Sequence, residues 1–237
     1  MAEDASKKKA KIDHSGHRKR LDEKNRIVGA EQMPEHEVLE RILFTVIPRG
    51  NTNFMAHELL KMCGSLYGVL TASPQELTRV AGIGSRAAEF LHDLLPLLGI
   101  VERCRMDEEG KSKPCLDTVE KMGEYAKSIF YGKLTEACYM VSLNASKRVY
   151  RLDRIAQGSL DEVPVYTREV IKLALYIEAD SVFLVHNHPA GYLVPSQSDI
   201  AMTQEIGRGL MTLGIELIDH IIVGGGDYIS LKQMGVF

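Results

Sequence analysis

Cysteine is sparse in this chain of 237 residues, with only Cys63, Cys104, Cys115 and Cys138, and no two of them form a Cys-x-x-Cys pair. That excludes a cysteine-built zinc site and leaves no disulfide framework, so the thiols read as reduced. The missing Pro-Cys-x-x-Cys ligand pair also argues against a zinc nucleoside deaminase. No stretch approaches the roughly 18–20 apolar residues that a membrane span needs. The N-terminus is charged and carries no apolar signal region, so a cytoplasmic protein without a membrane partner is expected. Charge of one sign is lacking overall, since 29 Lys and Arg stand against 32 Asp and Glu, a net charge of −3.

The charge that is present is unevenly placed. Residues 1–28 carry nine basic and five acidic side chains, a net of +4, whereas residues 29–100 carry five and eight, a net of −3. Residues 1–30 therefore read as a flexible basic arm, of the kind that touches nucleic acid or is simply solvated. From 31 to 100 the pattern is helical throughout, with helices predicted over 36–44, 54–62, 64–70, 73–80 and 85–98. Residues 101–117 are polar and irregular and read as a linker, in which Cys115 follows Pro114. Over 118–237 two periodicities mix. Helices are predicted over 118–130, 167–179 and 199–213, and strands over 136–143, 148–157, 181–185, 215–223 and 228–231. That order suits an α/β/α sandwich around a mixed sheet.

Within the helical region, Val80-Ala-Gly82-Ile83-Gly84-Ser-Arg86 resembles a helix-hairpin-helix. In that motif Gly-apolar-Gly makes a tight turn whose backbone N–H groups meet phosphate, and the apolar residue anchors the hairpin. Gly82, Gly84 and Arg86 are thus candidate contacts to a nucleic-acid backbone, with DNA as the partner. The other reading is a plain turn between helices, because the region is net acidic whereas a DNA footprint is basic.

The most informative stretch is His186-Asn-His188 followed by Pro195-Ser196-Gln-Ser-Asp199. The apolar run Ser181–Val185 reads as a buried strand, and residues two apart in extended chain point the same way. Both imidazoles can therefore face one metal. Asp199 falls in the first turn of the helix that follows, whose apolar positions are Ile200, Met202, Ile206, Leu210 and Leu213. Two His and one carboxylate leave a tetrahedral zinc one ligand short, which is where a catalytic site holds its water. Ser-x-x-Asp before a helical run is also a capping-box signal that needs no metal. The two readings are compatible for Ser196. The letters His-Asn-His do not make the nuclease motif of that name, which is dispersed over a ββα unit. His220, inside an apolar strand, reads as a core or supporting histidine.

This pattern resembles the JAMM (MPN-plus) metalloproteases and, more closely, the bacterial RadC proteins. The flanks Leu184-Val-His-Asn-His-Pro189, Leu217-Ile-Asp-His-Ile-Ile-Val-Gly224 and Tyr228-Ile-Ser-Leu231 agree, as do His17-Arg-Lys-Arg-Leu21 and Arg41 through Arg49. The resemblance covers all but roughly the first dozen residues. It implies an N-terminal all-α domain with a helix-hairpin-helix-like region, followed by an α/β/α JAMM/MPN domain of the cytidine-deaminase-like class over 118–237. It further implies a zinc hydrolase that cuts a peptide or isopeptide bond with a zinc-activated water, on a peptide or protein substrate. Zn2+ would be held by His186, His188 and Asp199. A glutamate from a separate strand would act as general base, and by position this is Glu136, with Glu169 as its rival. Ser196 would hydrogen-bond the tetrahedral oxyanion. The turn after His188 departs from the family, being apolar (Tyr192-Leu-Val194) where RadC proteins carry a polar one. Such a tip either contacts a partner or tucks onto the protein's own surface. Two other functions are kept beside the hydrolase. One is a DNA-binding protein of repair or recombination acting through the hairpin, and the other is a scaffold without metal chemistry.

Overall fold

The structure, a computed structural model, describes residues 15–106, 113–158 and 167–237. The start of the basic arm, the middle of the linker stretch and residues 159–166 lie outside the described residues. The chain divides into two compact units, Met1–Asp93 and Leu94–Phe237.

The first unit is helical. It contains α1 (Ser15–Val28), α2 (Glu35–Val46), α3 (Thr52–Cys63), α4 (Leu66–Thr71), α5 (Pro74–Leu77) and the beginning of α6 (Ser85–Arg105). Side-chain caps set the starts. Asn51 accepts from Phe54 N at 3.0 Å, Ser65 accepts from Gly68 N at 3.0 Å, and Ser73 and Glu76 close a capping box. Leu39, Leu43, Leu59, Leu77 and Leu91 form the core. The arm expected to be flexible over 1–30 is helical from Ser15, because charges that looked solvated have partners. Arg18 donates to the Ile47 carbonyl at 2.9 Å and lies over the Phe44 ring. His17 meets the buried Glu40 at 3.1 Å, and Leu21 is buried. The helix predicted over 73–80 shortens to the four residues of α5, and α6 continues to Arg105, into the stretch read as linker.

The second unit holds α7 (Val119–Ile129), β1 (Ala137–Leu143), β2 (Val149–Gln157), α8 (Thr167–Tyr176), β3 (Ser181–Asn187), α9 (Gln197–Met211), β4 (Glu216–Gly224) and β5 (Asp227–Ser230). The five strands form one mixed sheet in the order β2-β1-β3-β4-β5. Only β3 and β4 are parallel, and α9 makes the crossover between them. The period of two decides which residue meets which helix. Phe183, Val185, Val141 and Tyr139 join the core built with Met122, Tyr125 and Ile129 of α7. Val182, Leu184 and Met140 join the core built with Val170 and Ala174 of α8 and Ile206 and Leu210 of α9. Helices thus cover both faces of a mixed sheet, as expected. The end of the stretch read as linker is tied to the sheet. Val149 N donates to the Pro114 carbonyl at 3.0 Å, and Cys115 bridges to Arg148.

Candidate metal centre

The same strand parity aims His186. It continues the side of Val182 and Leu184, which α8 and α9 cover, and it is fully buried. His188 lies one residue past β3 and is kept in line by its own N–H, which donates to the Val223 carbonyl at 2.8 Å. The chain then turns at Gly191, whose φ of +85° suits a residue without Cβ. The Nε2 atoms of His186 and His188 are 2.9 Å apart.

Asp199 arrives from the other direction, in the first turn of α9. Ser196 caps that helix: its Oγ accepts from Asp199 N at 3.1 Å, while Asp199 Oδ2 accepts from Ser196 N at 2.8 Å and from Ser196 Oγ at 2.7 Å. The capping box is therefore real, and it aims the carboxylate. Asp199 Oδ1 lies 3.4 Å from His186 Nε2 and Oδ2 lies 3.7 Å from His188 Nε2. Glu136, half-buried just before β1, brings a carboxylate oxygen to the same place. The ligand atoms of Glu136, His186 and His188 lie within 4.8 Å of one another. Glu169, the rival base, is on the exposed side of α8 and pairs with Arg168 and Lys172.

Burial and these contacts set the protonation of the cluster. His188 Nδ1 lies 2.8 Å from the Tyr192 carbonyl, which only accepts, so Nδ1 carries the proton and Nε2 looks into the cluster. The His188 pKa is raised, chiefly by its bond to Asp199, in spite of burial. Burial pushes His186 down to about 4, against an opposing pull from Asp199. Burial also raises Asp199, but the His188 bond, His186 and the two Ser196 bonds outweigh it and hold the carboxyl well below the usual range. Two imidazole nitrogens converging with carboxylate oxygens are the donor set of zinc and related divalent ions. The residues present fit a divalent metal.

Two neighbours were not picked out from sequence. Asn187 lies between the histidines and bonds to the backbone on both sides of Glu136. Thr203 lies one helical turn beyond Asp199, a polar residue within the stripe of α9 that Ile206 and Leu210 bury. Its signal was visible as a hydroxyl at core spacing. Leu213, predicted for that stripe, falls past the helix end and is exposed. His220 lies 2.8 Å from His186 Nδ1, in a supporting position. The tip after His188 does not tuck away, as Tyr192 and Val194 are 73% and 74% exposed.

The hairpin residues sit in the first unit, at the turn between α5 and α6. Ile83 is buried as its anchor, and Gly84 and Arg86 are exposed. Gly82 has a backbone reason of its own: its φ is +95°, a conformation that residues with a Cβ rarely adopt.

Comparison with known proteins bears on the second unit and on the chain as a whole. The family model for the RadC-like JAB domain matches residues 116–236. A UPF0758 protein of Rhodobacter capsulatus is 36% identical over 208 residues, covering 88% of this chain and 95% of the relative. A UPF0758 protein of Fusobacterium nucleatum subsp. nucleatum is 34% identical over 231 residues, covering 94% and 98%. A third, from Ruegeria pomeroyi, is 35% identical over 219 residues, covering 92% and 96%.

Proposed function

This chain belongs to the RadC family of RadC-like JAB domain proteins, and from that premise we propose that it is a zinc-dependent hydrolase of amide bonds, a peptidase or isopeptidase. The observation that carries the reading is the convergence of Glu136, His186 and His188 within 4.8 Å, with the Asp199 carboxylate beside them. His186, His188 and Asp199 would hold the metal. When bound, zinc supplies Lewis acidity toward an amide carbonyl and lowers the pKa of water toward about 7. Glu136 takes a proton from the attacking water and hands it to the leaving amine. Ser196 is assigned to the tetrahedral oxyanion. Its hydroxyl proton now rests on Asp199 Oδ2, so that bond must be exchanged for one to substrate.

The experiment is metal analysis of the purified protein by mass spectrometry, joined to turnover of a peptide and isopeptide panel by wild type and Glu136→Gln. About one zinc per chain in both proteins, with turnover reduced about 10²–10⁴-fold in the variant, is expected for a general base. Loss of zinc in Glu136→Gln would make Glu136 a ligand instead. A wild type that takes up no zinc overturns the reading. DNA is proposed as the alternative partner, supported by the exposed Arg86 beside Gly84. Absence of duplex binding at low salt overturns that alternative.

A further inference from the structure

A line of hydrogen bonds runs from His186 into the interior of the second unit and returns to Asp199. His186 Nδ1 is 2.8 Å from His220 Nε2, and His220 Nδ1 is 2.6 Å from Thr203 Oγ1. Thr203 Oγ1 is in turn 2.6 Å from the carbonyl oxygen of Asp199. All three side chains are fully buried.

The position of each proton in this line follows from what each atom is able to do. The Asp199 carbonyl only accepts, so the single hydroxyl proton of Thr203 points to it. Turned toward His220 instead, that proton would leave two oxygens facing each other at 2.6 Å with none between them. Thr203 then offers His220 only lone pairs, and His220 Nδ1 carries an N–H. Burial disfavours the charged form of both rings, so each is neutral with one proton. His220 Nε2 is therefore a bare acceptor, and the N–H of His186 is on Nδ1. The remaining nitrogen, His186 Nε2, carries no proton and turns its lone pair toward His188 Nε2 at 2.9 Å and Asp199 Oδ1 at 3.4 Å.

We propose that His220 and Thr203 are positioning residues that lock His186 in its Nδ1–H tautomer and so present Nε2 to the metal. The role toward metal rests on the zinc reading above, whereas the tautomer does not. Without the line, either ring nitrogen of His186 is free to carry the proton, and a proton on Nε2 blocks the donor. Because the line ends on the backbone of Asp199, it also couples the seats of two proposed ligands. The partner of a ligating histidine fixes both its tautomer and its ring orientation, and losing such a partner typically weakens metal binding about 10–100-fold.

The test uses the full chain labelled with 15N-histidine and stripped of metal by chelation. Long-range proton–nitrogen correlation spectra are expected to show both His186 and His220 as Nδ1–H tautomers. An Nε2–H form of either ring overturns the proposal, whatever the protein does with zinc. Zinc affinity is then measured by chelator competition for wild type, Thr203→Val and Thr203→Ser. Thr203→Val keeps shape but gives His220 no acceptor. It is expected to scramble the His186 tautomer and weaken zinc about 10–100-fold, while Thr203→Ser restores both. A folded Thr203→Val protein with wild-type tautomers and wild-type affinity overturns the proposal. A wild type that shows the expected tautomers but binds no zinc sinks the metal reading and leaves the lock in place.

Discussion

Asn187 holds Ala137: its side-chain Oδ1 accepts the Ala137 N–H at 2.9 Å across the gap between β3 and β1. Its Nδ2 donates to the Thr135 carbonyl at 3.2 Å. These two bonds flank Glu136 in the chain, so the residue between the site histidines fixes the backbone of the proposed base. Asn187→Ala leaves a buried N–H unpaired and is expected to cost about 1–3 kcal/mol of stability. It should lower turnover more than it lowers zinc content, because the metal side chains keep their own supports. Chemical denaturation read beside metal stoichiometry checks both.

Asp199 closes the capping box of α9 and is proposed as a metal ligand, and substitutions can separate the two. Asp199→Ala removes a proposed ligand and half of the capping box, whereas Ser196→Ala removes the capping hydroxyl and leaves the carboxylate. Both variants are expected to lose about 0.5–2 kcal/mol from the start of α9. Only Asp199→Ala should lose most of its zinc, as measured by mass spectrometry after dialysis. Equal zinc in the two would remove Asp199 from the ligand set.

Stability of the metal-free protein should depend on pH with a sign set by the buried histidine. The folded pKa of His186 is lowered to about 4 from an ordinary 6.5. Between those values the unfolded chain binds a proton that the folded chain does not. Stability therefore falls as pH drops through this window, by on the order of 3 kcal/mol in all. Asp199, whose pKa is depressed, adds stability that is present above its ordinary 3.8 and is lost as pH falls further. His188 works the other way: its raised pKa contributes stability that is full below 6.5 and is lost as pH rises through the raised value. Denaturation midpoints of chelated protein should thus fall between pH 6.5 and 4. A midpoint that rises over that range would contradict the buried neutral His186.

The tip beyond His188 is expected to bear on substrate rather than on fold. The Tyr192 carbonyl orients His188, but the Tyr192 and Val194 side chains face solvent. Tyr192→Ser and Val194→Ser should therefore change stability by no more than about 0.5 kcal/mol and leave zinc in place. On a peptide substrate with apolar flanks they should raise KM with kcat little changed, the mark of lost uniform binding. Steady-state kinetics on substrates with apolar and polar flanks checks this.

The sequence by itself determined the local features. The apolar run Ser181–Val185 marked β3, Ser-x-x-Asp marked the start of α9, and Gly-x-Gly marked the hairpin turn, because each depends on contacts within a few residues. His186 and His188 could be placed on one side from strand geometry alone, and Glu136 could be placed only through family resemblance. Other features depend on residues far apart in the chain, which periodicity does not register. Arg18 and His17 looked like solvated charge until α2 brought Ile47, Phe44 and Glu40 against them, and so an arm read as flexible is helical. The end of the polar stretch before α7, from Pro114 to Leu116, is held by pairing with the start of β2. Tertiary structure alone decided which way the His186 ring carries its proton. That depends on Thr203 and His220, 17 and 34 residues away, meeting it in a buried space where every donor must find an acceptor.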